Sequence, residues 1–328
     1  MFTIRLDFRL SPDSPTTLSE LYRAGVDMSV WAEANGAYAA VLSEHHGSAD
    51  GYLPSPLVIA SAIAARTHSL SVNVAALLLL MYDPVKLAED IAVLDHLSGG
   101  RVSYTIGLGY RDAEYAMFGV DPKQRASLIE EHIDVLRRAL AGERFEWRGR
   151  TVHVTPRPIN PQGPVLMYGG GTLAAARRAA RFGMPFLPSD YDERLVEAYD
   201  DEARRVGNPP GLTMMAPADA PSSLFVADDV DRAWDALGPY LLHDAQAYAE
   251  WLGADSTART YSGAKDVAAL RAENGSYRIV TPPEAVEMIR SFGSLGLQPL
   301  CGGIPPELAW ESLRAIETSV LPAFAPGS

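Results

Sequence analysis

The chain has 328 residues, 47% of them hydrophobic, enough for one large core, and neither a signal-peptide apolar segment at MFTIRLDFRL nor a membrane-length run is read in it. With 28 Lys and Arg against 41 Asp and Glu, its formal charge is −13, an acidic balance with no Lys/Arg run that argues against nucleic acid and anionic membranes as partners. The lone cysteine, Cys301, excludes a disulfide framework and a Cys-rich metal site, and the expected compartment is the reducing cytoplasm.

Strand-like and helical stretches alternate along the chain. FTIRLDF (Phe2–Phe8) has the period of a strand, and helical text runs from Leu18 to about Asn35, where Gly36 ends it. YAAVLSE (Tyr38–Glu44) is the second strand, followed by a helix from Pro56 to Arg66. LSVNVAALLL (Leu70–Leu79) reads as a strand buried on both faces. Pro84 opens a helix in which Leu87, Ile91 and Leu94 recur at helical spacing. RVSYTIGLG (Arg101–Gly109) is the fourth strand; Ile129, Ile133, Leu136 and Leu140 mark a helix, and residues 144–154 a small hairpin.

The second half keeps this rhythm. Strands are expected at Pro164–Gly169, Met184–Ser189, Ser222–Ala227 and Leu297–Gly302. Helices are expected at Leu173–Phe182, about 192–206, Val230–Leu252, Pro282–Phe292 and along Ala309, Leu313, Ile316 and Val320. Residues 253–275 break the pattern as a polar insertion between strands seven and eight. Eight strand–helix units predict an α/β fold, a (β/α)8 TIM barrel formed as one domain over residues 1–328, with an open doubly wound sheet as the alternative.

Barrel chemistry gathers at the carboxyl ends of the strands. LSEHHG places His45 and His46 after strand two. Side chains alternate along a strand, so the two histidines are expected to diverge, one lining the site and one supporting it; the plain alternative is a pair of polar loop residues with no role. Strand four ends in GLGYRD, where Gly107 can admit a planar ligand or simply make a turn. Strand five ends in YGGGTLAAARRAARFG. Backbone amides at Gly169, Gly170 and Gly171, with the Thr172 hydroxyl at a helix start, suit a phosphate; the plain alternative is a glycine turn with Thr172 as its N-cap. An apolar pocket is expected from Leu77–Met81, Tyr82, Tyr110 and Met117. No metal-ligand constellation is read, so a metal-dependent hydrolase is disfavoured.

Together these stretches resemble the luciferase-like monooxygenase superfamily. The resemblance rests on WAEANGAYAAVLSEHHG, on DPVKLAEDIAVLDHLSGGRVSYTIGLGYRDAEYAMFGVD, on GGGTLAAARRAARFGMP and on GGIPPELAWESL. It implies a barrel holding either reduced FMN, received from a separate flavin reductase for reaction with oxygen, or the deazaflavin coenzyme F-420. A non-catalytic flavin-binding protein is a further possibility on this fold. It also implies His45 beside the flavin as a proton-transfer residue, with His46 as its neighbour, and a homodimer through helices at about 55–66 and 84–97. The implied cofactor contacts are Ala75 and Ala76, joined by a cis peptide bond, then Gly107, Tyr110, Arg125, Gly169, Gly170, Gly171 and Thr172. One departure stands out: Leu108 occupies the position of an arginine that grips the flavin phosphate in bacterial luciferase, so the light-emitting reaction is not expected. From their own composition, residues 253–275 are expected to form either a mobile lid over the barrel mouth or a plain surface loop.

Overall fold

A computed structural model describes residues 1–253, 256 and 258–325. The chain divides into two compact units, residues 1–41, 48–53 and 216–328 in one, residues 42–47 and 54–215 in the other.

In the first unit the strands β1 (Phe2–Leu6), β2 (Ala39–Leu42, its last residue in the second unit), β9 (Ser223–Val226), β10 (Tyr277–Val280) and β11 (Leu295–Leu297) follow the order β10-β9-β11-β1-β2. Phe2 faces Leu295 and Ile4 faces Leu297 across the parallel β1–β11 pair. The helices are α1 (Leu18–Ala34), α8 (Val230–Leu252), α9 (Val267–Glu273), α10 (Pro282–Phe292) and α11 (Pro306–Ala315). Local chemistry sets their ends. Thr17 and Glu20 form a capping box at α1, and Thr281 and Glu284 form another at α10, each satisfying amides that a helix start leaves open.

A buried ionic knot ties this unit together. Arg9 is fully buried, with its Nη1 3.0 Å from Asp50 and its Nε 3.0 Å from Asp244 of α8. Its guanidinium also lies 4.4 Å from the Trp251 ring, 4.8 Å from Tyr248 and 4.9 Å from Tyr52. A buried cation is tolerable only with such partners, and the aromatic faces add cation–π attraction.

The second unit holds β3 (Ser71–Leu78), β4 (Val102–Gly107), β7 (Leu166–Gly170) and β8 (Phe186–Pro188), all parallel, in the order β3-β4-β7-β8. Around them lie α2 (Pro56–Arg66), α3 (Pro84–Ser98), α4 (Asp112–Phe118), α5 (Arg125–Leu140), α6 (Leu173–Arg181) and α7 (Glu193–Val206), with the antiparallel hairpin β5 (Phe145–Trp147) and β6 (Arg150–Val152). Val72, Val74, Leu77, Tyr104 and Ile106 are buried on β3 and β4, as continuous apolar runs in a parallel sheet require.

The alternation of strands and helices follows the sequence reading, with four differences, the first being the unexpected short helix α4 after β4. Among the described residues nine strands lie outside the hairpin, where eight were expected; β10 is the addition. The expected irregular break at 253–275 contains α9, because Asp266 caps it through Ala269 N and Asn274 turns left-handed at its end. Residues 254, 255 and 257 of the expected lid lie outside the described residues. The last strand is shorter than Leu297–Gly302: β11 ends at Leu297, and a 3₁₀ turn occupies Cys301–Gly303, with Gly302 and Gly303 both at positive φ.

Arg101 locks the base of β4 to α2 and α3. It donates to the carbonyls of Ser98 (2.7 Å), Leu70 (2.7 Å), Ala64 (3.0 Å) and Thr67 (3.0 Å), and to the Thr67 hydroxyl (3.0 Å). The carbonyls of Ala64, Thr67 and Ser98 lie at helix ends, which leave them without internal partners. Only a guanidinium reaches five acceptors from one plane. Arg101→Lys is expected to lower unfolding free energy by about 2–3 kcal/mol, as several hydrogen bonds to a charged group are lost. Urea denaturation checks it, and a loss below about 0.5 kcal/mol would show the lock to be immaterial.

Candidate functional site

His45 and His46 stand in the loop that leaves β2, both buried to within a tenth of their surface. The residue that shapes this loop lies on α4, a seven-residue helix. The Tyr115 hydroxyl anchors α4 at 2.8 Å from the Leu108 carbonyl and 2.9 Å from that of Gly109. Gly119 ends the helix in the left-handed region, φ 68°, where glycine carries no Cβ penalty.

From this helix Glu114 reaches back to the histidines. Its Oε1 lies 2.8 Å from His45 Nδ1, accepts from the backbone N–H of His46 at 2.9 Å, and accepts from Arg111 Nη1 at 3.1 Å. Arg111 also donates to the His46 carbonyl at 2.8 Å. Burial pushes the Glu114 carboxyl up, but the hydrogen bond and charge of His45, the His46 amide and Arg111 together outweigh it, and its pKa falls below the usual carboxylate value. An ionised carboxylate only accepts, so the network assigns a proton to His45 Nδ1. In the neutral ring Nε2 is then the acceptor, and the Tyr110 hydroxyl lies 3.2 Å from it. The second oxygen of Glu114 is buried and has no hydrogen-bond partner among the described residues.

His46 turns away. Its Nε2 is 3.0 Å from Glu44 Oε1, and its ring meets Phe118 edge-on, centroids 4.7 Å apart. Glu44 also accepts from Leu78 N at 2.8 Å and from the Tyr82 hydroxyl at 2.5 Å. Burial first, then the Glu44 carboxylate, push the Tyr82 hydroxyl above its usual range, so it stays a donor. The two histidines diverge as expected, but the sequence reading missed their carboxylates and Arg111. The signal lay in RDAEYAMFG: acidic residues in a first turn, then a closing glycine.

The remaining predicted contacts fall in two groups. Ala75–Ala76 is a cis peptide, and the β3–β4 register shifts between Ala75 and Leu77. A Cβ on Gly107 would stand 2.7 Å from the Ala76 Cβ, so only glycine fits there. Tyr110 is 41% exposed beside His45. Arg125, the first residue of α5, places its guanidinium 5.9 Å from the Tyr115 ring.

The glycine loop is a separate group. Gly169 and Gly170 end β7, and Thr172 is the N-cap of α6, its hydroxyl accepting from Ala175 N at 3.1 Å. A Cβ on Gly169 would meet Thr105 Cγ2 at 3.0 Å, one on Gly170 the Ala175 Cβ at 2.8 Å, and one on Gly171 the Ser189 Oγ at 2.6 Å and Asp190 Cγ at 3.1 Å. The glycines thus make room for this chain's own side chains. The residues around His45 fit the ring of a flavin, offering small side chains, an acceptor at Nε2 and a spare carboxylate oxygen. The loop at the phosphate end fits less well, because Asp190 brings a carboxylate to it.

The expected apolar pocket needs correction. Leu77, Leu78, Leu79, Leu80 and Met81 are buried in the core, because residues 79–81 coil into a 3₁₀ turn there, whereas Tyr110, Met117 and Phe118 are exposed beside the histidines. Among the described residues no group of three or more His, Cys, Asp or Glu is placed to hold a metal, and no helix is long and apolar enough to cross a membrane.

Because the folded Glu114 titrates below its unfolded value, its contribution to stability is present above the unfolded pKa and is lost as pH falls through the folded one. Glu114→Gln is expected to cost about 1–3 kcal/mol at pH 7, the range for losing hydrogen bonds to a buried charge, and to lose less stability than the parent on acidification. Urea titrations at pH 7 and at pH 4 check this. Parallel pH curves for the two proteins would exclude a buried ionised Glu114.

The model of the luciferase-like monooxygenase family matches residues 1–298. Limonene 1,2-monooxygenase of Rhodococcus erythropolis is 31% identical over 153 residues, 41% of this chain and 40% of that protein. The chain spans about half the length of the curated relatives it matches. Two solved structures share its fold at low identity. One is the oxygenating constituent of 3,6-diketocamphane monooxygenase from Pseudomonas putida in complex with FMN, 18% identical with TM-score 0.74 over 98% of each chain. The other is an F420-dependent secondary alcohol dehydrogenase, 14% identical with TM-score 0.67 over 94% of this chain and 97% of that one. The parallel α/β fold is therefore that of the barrel class expected from the sequence, and the chain belongs to the luciferase-like monooxygenase family.

Proposed function

We propose that this protein is a flavin-dependent oxidoreductase, the oxygenating component of a two-component monooxygenase that takes reduced FMN from a separate reductase and acts on a small, largely hydrophobic organic molecule. One observation carries the reading: His45 is held at Nδ1 by Glu114 and presents Nε2 beside Tyr110 at 2.8 and 3.2 Å respectively. A binding protein with no chemistry has no use for an imidazole oriented in this way.

When bound, the reduced flavin supplies the electron pair with which dioxygen reacts toward an organic substrate. The chain supplies the rest. Glu114 fixes the tautomer and angle of His45, so that Nε2 can accept a proton and later return it. The imidazolium formed in between is stabilised by the Glu114 carboxylate, which costs no rearrangement because the pair is already in contact. Tyr110 extends the proton path from Nε2 toward the exposed side of the site. Met117 and Phe118, 64% and 40% exposed, present apolar surface next to the histidines, which favours a hydrophobic substrate. His46 and Glu44 hold the loop and stay out of the proton path.

Hydride transfer with coenzyme F-420 is the second reading, supported by the fold shared with the F420-dependent dehydrogenase. Anaerobic titration with FMNH₂ and with reduced coenzyme F-420 separates the two: tight F-420 binding with no measurable affinity for FMNH₂ would move the protein to the dehydrogenases. His45→Asn is expected to lower turnover by roughly 10²-fold, a typical size for lost general acid–base catalysis, with flavin affinity within a few fold of the parent. Undiminished turnover in that variant would take His45 out of the mechanism.

A further inference from the structure

Arg111 and His45 converge on one atom. The guanidinium Nη1 lies 3.1 Å from Glu114 Oε1, and the imidazole Nδ1 lies 2.8 Å from the same oxygen. The Arg111 side chain is only 10% exposed and that of Glu114 is fully buried. This arrangement holds a conflict. A carboxylate in contact with an imidazole favours the doubly protonated ring. An imidazolium carries a proton on Nε2 as well as on Nδ1, so a tightly held one neither accepts a proton at Nε2 nor gives back one it has taken. The Glu114 charge by itself therefore draws His45 away from the neutral state that proton exchange needs. Arg111 supplies the opposing charge. Other groups facing His45 bring no second guanidinium: Tyr110 meets Nε2 through its hydroxyl at 3.2 Å, His46 meets Glu114 through its backbone N–H at 2.9 Å, and the Glu44 carboxylate is engaged by the His46 ring and by Tyr82.

We propose that Arg111 is a positioning residue that acts through Glu114: its positive charge opposes a second proton on His45 and so keeps the imidazole neutral and able to exchange a proton near neutral pH. Sharing one oxygen puts the two nitrogens within about 6 Å of each other, and at an effective dielectric of about 20 like charges at that separation alter a proton equilibrium by roughly tenfold or more. The comparison is between proteins that differ only at Arg111, so the remaining neighbours of His45 are common to both. What the neutrality serves rests on the flavin reading above; the proton equilibrium itself is read without any flavin. Arg111 also donates to the His46 carbonyl at 2.8 Å, which is the work of a plain strut. A strut depends on the fork of the guanidinium, whereas the proposed effect depends on its charge, and a lysine separates the two.

The test is a pH titration of the imidazole nitrogens in the whole ¹⁵N-histidine-labelled protein, followed by NMR for the parent, Arg111→Gln, Arg111→Met and Arg111→Lys, with His45→Asn to assign the His45 signals. Both neutral variants are expected to bind the second His45 proton about tenfold or more tightly, their midpoint moving to higher pH, and Arg111→Lys to stay within about threefold of the parent. An unmoved or lowered midpoint in the neutral variants would overturn the proposal. So would a rise in Arg111→Lys equal to theirs, which would show that the fork and not the charge matters. If neither neutral variant folds, Arg111→Lys decides: a midpoint within about threefold of the parent upholds the role of charge, and a tenfold rise overturns it. Failure of the parent to bind FMNH₂ would remove the flavin reading and leave the titration result as it stands.

Discussion

A single carboxylate oxygen organises the site. Glu114 Oε1 gathers the His45 ring, the His46 amide and the Arg111 guanidinium, all within 3.1 Å. A carboxylate buried from water needs such donors, and each donor fixes one degree of freedom of the loop that carries it. The ring contact sets the tautomer of His45, the amide contact sets the path of the chain at His46, and Arg111 closes the loop through the His46 carbonyl. Without Glu114 the loop would keep its residues and lose its geometry.

Two carboxylates divide two adjacent histidines between different tasks. Glu44 takes His46 into a closed set with Tyr82 and Leu78, where every partner is part of the protein. Glu114 takes His45 by the nitrogen that faces inward, which leaves the other nitrogen facing Tyr110 and the exposed side. The two rings therefore differ in what their Nε2 meets, a tyrosine hydroxyl for His45 and a carboxylate for His46. Burial alone does not distinguish the two rings, since both are nearly inaccessible; the hydrogen-bond partners do.

Periodicity and helix-end chemistry made most elements legible. Pro56, Pro84 and Gly36 mark helix ends close to where the structure has them, and the apolar run at 70–79 is the buried strand β3. The elements missed are short. Seven residues of α4 and seven of α9 are too few for a helical pattern to stand out from a loop, and each depends on tertiary anchors such as Tyr115. Missing α4 meant missing Glu114, because its relation to His45 spans 69 positions of sequence. The glycines at 169–171 invited a ligand, and their space is used by Thr105, Ala175, Ser189 and Asp190, neighbours that no local pattern specifies. His45, His46 and Gly107 stood out by their places at strand ends, Ala75 and Ala76 through family resemblance; the structure holds His45 against Glu114, turns His46 to Glu44 and leaves no room for a side chain at Gly107 beside Ala76.

The central claim is that Glu114 holds the proton of neutral His45 on Nδ1 and leaves Nε2 as an acceptor. Nitrogen NMR of the protein with ¹⁵N-labelled histidine, compared with His45→Asn to assign the signals, reads this directly. Above the pH at which His45 loses its second proton, Nδ1 should appear as the protonated, pyrrole-type nitrogen and Nε2 as the unprotonated, pyridine-type one. The opposite pattern, with the proton on Nε2 and a bare Nδ1 facing Glu114, would contradict the account.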